Sequence, residues 1–304
     1  MRIRRTWRLK AISLLFGIVM VSCSNVPSVV PDSSNIPIKI KPVKVYPLPA
    51  GTISEAPPLF NGGIWILSGS AQSKVATEYS VQNDFTIENK IFISQNASTI
   101  ATTSGALLVV GTSTPSGDGS LNIYSGISGT ELNSVPMPGP VVAITSVPSG
   151  NELVALIKRQ QAMSVTFVNL INYAIIKSFP VPQAAVAVSL GSDPNTIFVL
   201  LATGTVDSIS VKSGVVQSEL KVGNYGNYLA ISNNQTRLLA LKCSSSTCNI
   251  SVVDTSSDEV LAALPAPAGA VAVEFSAGDD ILYEIVNING TSNFQEFYVK
   301  TFIP

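Results

Sequence analysis

The side chains able to do chemistry in this chain are few: three cysteines (Cys23, Cys243 and Cys248), a thin population of carboxylates and lysines, and no histidine at all. The missing histidine removes the commonest general base, the Ser-His and Cys-His nucleophile pairs and the most frequent metal ligand. Catalysis would fall to carboxylates, lysine or tyrosine alone. Cys243 and Cys248, separated by Ser-Ser-Ser-Thr, end one strand pattern (Arg237 to Cys243) and begin the next (Cys248 to Asp254). A hairpin sets their Cβ atoms face to face, the geometry of a disulfide. The alternative is a CxxxxC metal site, for which no third or fourth ligand lies nearby. The acidic candidates for calcium or acid/base work, Asp254 and Asp279-Asp280, fall in turns, where carboxylates commonly bond backbone amides. Gly117-Asp118-Gly119 sits in a polar turn cluster and reads as a hairpin tip, not a phosphate loop. No metal and no cofactor is expected, and enzyme activity has no recognisable constellation to carry it.

Cys23 has a different context. Arg2, Arg4, Arg5, Arg8 and Lys10 precede the apolar run Ala11 to Val21, the layout of a signal peptide whose core is too short to span a membrane comfortably. Met20-Val21-Ser22-Cys23 resembles the lipobox of bacterial lipoproteins, although leucine is commoner at the position of Met20. The resemblance implies a lipoprotein signal peptide over residues 1–22 and lipidation of Cys23, whose acyl chains would each bury methylenes in a membrane at about 0.8 kcal/mol apiece. An ordinary cleaved signal with an incidental cysteine is the alternative. Residues 23–37, rich in Ser, Asn, Pro and Val without periodicity, read as a lipidated tether. The expected location is the cell envelope, at a membrane surface on the periplasmic face or the cell surface. With only 12% charged residues and a net charge of −1, steering toward nucleic acid is not expected. The low charge and absent histidine also fit acidic surroundings.

The body, residues 38–304, is organised by a repeat. Short apolar strands run into proline-bearing corners at Tyr46-Pro-Leu-Pro49, Val135-Pro-Met-Pro138, Phe179-Pro-Val-Pro182 and Leu264-Pro-Ala-Pro267, with Leu220-Lys-Val-Gly223 as a proline-free version. Pro138, Pro182, Gly223 and Pro267 are spaced by 44, 41 and 44 residues, while Pro49 to Pro138 is 89, or two steps. The missing corner falls near Ile91 to Ser94. Proline suits an outermost strand, whose edge amides are unpaired. Each corner is followed by a strand of small apolar residues such as Ala184 to Val188 or Ala270 to Val273, which fits the crowded strand nearest an axis. A polar turn, a bulky apolar strand and an alternating strand complete each unit.

Units of three or four strands at this period imply blades around an axis, a β-propeller. The last repeat, from about Ala268, has only three strands, and the body opens with an orphan, Pro42 to Leu48, that carries the corner signature of a fourth. The two fragments complete each other. The expectation is an all-β, single propeller of six blades of four antiparallel strands, closed by an N-terminal strand. Seven blades is the alternative, if Ile36 to Ile40 and nearby segments hide a degenerate unit.

The clearest unit, with Arg237-Leu-Leu-Ala-Leu, Ile250-Ser-Val-Val-Asp254-Thr and Glu259-Val-Leu-Ala-Ala-Leu-Pro265, resembles the YVTN-type propeller repeats of bacterial and archaeal surface proteins. The match is good in this unit, fair from Val141 to Gly223 and weak before residue 130. The resemblance implies architecture, not activity. Specificity is left to the face where hairpin tips and corners converge, with Lys158, Arg159, Asn224, Tyr225, Asn227 and Tyr228 as the candidate binding face. Tyr228 also reads as an inner-strand packing residue, and Trp65 as core. The leading expectation is a non-catalytic binding or scaffolding module for another envelope protein or a cell-surface polymer. The alternative is an enzyme, or a binder of a small ligand or cofactor, using the central channel.

Overall fold

The computed structural model describes residues 41–299 apart from 57–62, 71, 105, 148, 149, 192 and 277. The expected signal peptide, Cys23, the expected tether and Ile36 to Ile40 lie outside the described residues. Twenty-four strands follow in order. β1 is Lys44–Leu48; blade one holds β2 (Ser54–Ala56), β3 (Gly63–Gly69), β4 (Lys74–Ser80) and β5 (Thr86–Ile93). Blade two holds β6 (Ala97–Thr102), β7 (Leu107–Thr112), β8 (Gly119–Ser125) and β9 (Glu131–Met137). Blade three holds β10 (Val141–Ser146), β11 (Glu152–Arg159), β12 (Ala162–Asn169) and β13 (Ile175–Val181). Blade four holds β14 (Ala185–Leu190), β15 (Thr196–Leu201), β16 (Thr205–Ser210) and β17 (Val216–Lys221). Blade five holds β18 (Tyr228–Ile231), β19 (Arg237–Cys243), β20 (Cys248–Asp254) and β21 (Glu259–Ala266). Blade six holds β22 (Ala270–Phe275), β23 (Ile281–Ile288) and β24 (Thr291–Tyr298), and takes β1 as its outer strand, in the order β1-β24-β23-β22. The protein is thus a six-bladed β-propeller.

Burial along the strands follows from their place in a blade. Second strands are buried on both faces because each blade is sandwiched between neighbours, so Leu153 to Ile157 and Leu238 to Leu241 are apolar without interruption. Outer strands alternate, as in β17, because one face meets solvent. Apolar clusters fill every seam between blades, for example Leu239, Leu241 and Ile250 of blade five against Val273, Leu282 and Phe297 of blade six.

Two bulges recur that no local pattern announced. In β6, β10, β14 and β22 the second residue, Ser98, Val142, Val186 or Val271, has no cross-strand partner. In the outer strands the unpartnered residues are Glu88, Leu132, Ile176, Gln217 and Leu261. An extra residue raises local twist and bends the strand, which lets a narrow inner strand turn into the axis.

The meander puts second-to-third strand tips and blade-to-blade corners at one end of the ring. A backbone hydrogen bond ties each tip strand to its corner: Gly69 to Gly51, Ser113 to Asn96, Lys158 to Pro140, Ala202 to Ala184, Asn287 to Gly269, and in blade five Asn227 to Leu241. The ring closes where β1 pairs with β24, from Lys44 opposite Glu296 to Leu48 opposite Ser292. Five aromatic rings pack there. Phe85 stacks on Tyr46 at 4.7 Å, on Tyr79 at 4.5 Å and on Phe294 at 4.6 Å, and Tyr283 meets Phe294 at 5.1 Å. Phe85 sits at a left-handed φ of 58°, a conformation that costs a bulky residue about 1–2 kcal/mol. Its three ring contacts offset that cost.

Phe294 is fully buried at the centre of this cluster. Phe294→Ala is expected to cost about 3–5 kcal/mol in denaturant unfolding. Hydrogen exchange should show the Tyr46 amide losing protection before the paired amides of the other outer strands; equal loss in all blades would show that the seam is no weaker than its neighbours.

Candidate functional site

The six inner strands enclose a channel with a cavity of about 390 Å³, lined by all of them. Its wall mixes apolar residues such as Val142, Ile144, Val186 and Ile231 with hydroxyls such as Thr99, Thr102, Thr145 and Ser189. Register aligns the blades and exposes two departures. Opposite the second-strand residues Leu67, Gly111, Leu156, Leu200 and Ile285 stand Ser54, Thr99, Ala143, Ala187 and Ala272, but opposite Leu241 stands Tyr228. Two residues further along, Ala56, Ala101, Thr145, Ser189 and Ala230 correspond to Glu274 in blade six. These two departures touch: the Tyr228 hydroxyl donates to Glu274 Oε1 at 2.9 Å. Glu274 is 7% exposed, and burial pushes its carboxyl up to about 8 even though the Tyr228 hydrogen bond favours the ionised form.

Tyr228, expected on the tip face or packed in an inner strand, therefore stands in the channel wall. The rest of the candidate face divides in two. Lys158 and Arg159 are exposed at the β11–β12 tip of blade three. Asn224, Tyr225 and Asn227 form the corner between blades four and five, with Tyr225 58% exposed. Gly226 lets this corner press against blade four, since a Cβ there would run into the Leu201 carbonyl. Cys243 and Cys248 form the disulfide, closing the β19–β20 tip. The Cys243 amide donates to Asn227 Oδ1 at 2.5 Å, so the bridged tip and the tyrosine corner are one bonded unit.

The turn carboxylates are engaged in structure. Asp254 accepts from the Ser256 and Ser257 amides and the Ser256 hydroxyl, which hold its carboxyl below the usual range. Asp279 accepts from the Asn233 and Asn234 amides of the preceding blade, and Asp280 from the Ser276 hydroxyl. Trp65 is core. Among the described residues no group of three or more Cys, Asp or Glu is placed to hold a metal ion.

Sequence reasoning missed the buried acids. Glu284, 1% exposed in the middle of β23, replaces a residue that is Ile66, Val110, Ala155, Val199 or Ala240 in the other blades. Its Oε1 accepts no hydrogen bond from the described residues, and burial pushes it up to about 8. Asp207, 2% exposed, is raised to about 6 by burial and then by Glu219 across the strand pair. Burial also raises Glu296. A charged residue inside an apolar strand, compared across aligned repeats, was the signal available.

These raised acids make folding take up protons. Glu274 and Glu284 contribute their full stability below the ordinary value of 4.5 and lose it as pH rises toward about 8. The unfolding free energy measured with denaturant is expected to fall from about pH 5 to about pH 9, by on the order of a few kcal/mol. Glu284→Gln should flatten that slope and stabilise the protein at the alkaline end; an unchanged slope would remove Glu284 from the account.

No family model matches the chain, and no curated protein matches it in sequence. Among solved structures, a chain of hydrazine synthase from Kuenenia stuttgartiensis is similar, with a TM-score of 0.65 and 14% identity, over 82% of this chain and 83% of that one. At that identity the likeness is one of fold: both are β-propellers.

Proposed function

We propose that this chain is an exported protein, anchored in the cell envelope by lipid on Cys23, whose propeller is a non-catalytic binding module. It presents its tip-and-corner face to another envelope protein or a cell-surface polymer. The observation that carries this reading is the Cys243–Cys248 bridge, hydrogen-bonded through Asn227 to a corner that displays Tyr225. Disulfides persist in oxidising, exported compartments. A tyrosine held on a braced corner loses little freedom on binding, and such aromatic anchors dominate interface energetics. Lys158 and Arg159 rise from the same end of the ring and add a basic contact for an acidic partner. The YVTN-type pattern of blade five and the lipobox-like Met20 to Cys23 support the same surface location. The raised buried acids add acidic surroundings to the picture, since they favour the folded state at low pH.

Two measurements test this. In a lipoprotein-competent bacterial host, the chain is expected to incorporate a fatty-acid label and sediment with membranes, and Cys23→Ser is expected to abolish both. A photo-crosslinker at position 225 should give a discrete adduct in intact cells, reduced at least severalfold when both Cys243 and Cys248 are changed to Ser. Labelling at position 225 no stronger than at the exposed outer-strand position Gln217 would rule the face out.

A further inference from the structure

We propose that the central channel is a binding site for a small uncharged molecule with an apolar body and one carbonyl-type oxygen, held between blades five and six by Glu274 and Tyr228. This is independent of how the outer face is used. The inner strands of the other blades show that closing the ring requires only small residues at these two positions. Tyrosine and glutamate are both larger and more polar than the ring needs, they come from different blades, and they meet by a hydrogen bond inside the cavity. The Tyr228 ring packs against the apolar clusters on both sides of blade six, but packing calls for neither its hydroxyl nor the Glu274 carboxyl. A carboxyl kept 93% out of solvent has a cost that a ligand contact explains.

The lining selects the ligand class. Among the described residues, Glu274 and Tyr228 are the titratable side chains that line the cavity, and no lysine or arginine lines it. An anion finds no counter-charge. A cation would need Glu274 ionised where burial opposes ionisation. On the neighbouring strand β23 the cross-strand partner of Glu274 is Tyr283, followed by Glu284, which burial also keeps protonated. β2, across the blade-one seam, carries Glu55. Protonated Glu274 accepts from Tyr228 at Oε1 and offers its own O–H to an acceptor oxygen. Val142, Ile144, Val186 and Ile231 supply apolar wall for the body, and a cavity of about 390 Å³ is ample for a compact ring system.

Three cage compounds of one shape separate the classes: adamantanone, adamantylammonium and adamantane carboxylate, titrated against the full chain by ligand-observed NMR. The ketone is expected to bind at about pH 6 and to weaken about tenfold at about pH 9, one unit above the Glu274 value of about 8. The two ions are expected not to bind at about pH 6. In Glu274→Gln, the ketone affinity should no longer change with pH, and Tyr228→Phe, which keeps the ring that packs the wall, should weaken the ketone severalfold. Absence of ketone binding, tighter binding of the ammonium than the ketone, or a pH response that persists in Glu274→Gln would each overturn the proposal.

Discussion

Everything in this molecule depends on one contact, the pairing of β1 with β24. A ring of meandering blades has a single place where the chain must meet itself, and here that place joins Tyr46 to Phe294. Within a blade every pairing is local, so the entropy of closure is small; the seam alone must overcome a loop of most of the chain. Five backbone pairings do not suffice for that, and the chain adds a cluster of aromatic rings centred on Phe85 and Phe294. Without closure the seam between blades six and one would open its apolar face to water, and the channel would lose its wall.

Closure also explains the inner strands. Six strands crowded around an axis accept small side chains and shed an extra residue as a bulge, as at Val142, Val186 and Val271. β18 has no bulge and begins with Tyr228, so blade five enters the axis differently from blades two, three, four and six. The same blade carries the disulfide and the exposed corner tyrosine. Blade five thus departs from the repeat on the outer face and in the channel, where its Tyr228 meets the departure of blade six, Glu274.

Much of the architecture was legible because its signals are local. Prolines at Pro49, Pro138, Pro182 and Pro267 mark edge strands, where a missing amide does no harm. The orphan strand ending at Leu48 was recognisable because it carries a corner with no blade before it, and it pairs where that logic required. Cys243 and Cys248 were legible because a short hairpin leaves them no other geometry. The aromatic seam was not legible. Tyr46, Tyr79, Phe85, Tyr283 and Phe294 are scattered through the sequence, and each looks like an ordinary strand or turn residue until the ring brings them together. Tyr228 was read among its sequence neighbours in the corner, yet its partner lies 46 residues away.

The amino-acid sequence by itself determined the repeat length, the number of blades, the identity of the closing strand and the hairpin disulfide. Each of these follows from turn chemistry and side-chain period, which act over a few residues. Tertiary structure decided which residues face one another across strands and blades, and therefore where Glu274 meets Tyr228, how Asn227 holds Cys243 and why Glu284 is buried. The physical reason is that strand register has a period of two, so a single bulged residue moves every later side chain to the opposite face. Nothing within the strand records that shift, because it is set by the blades packed on either side.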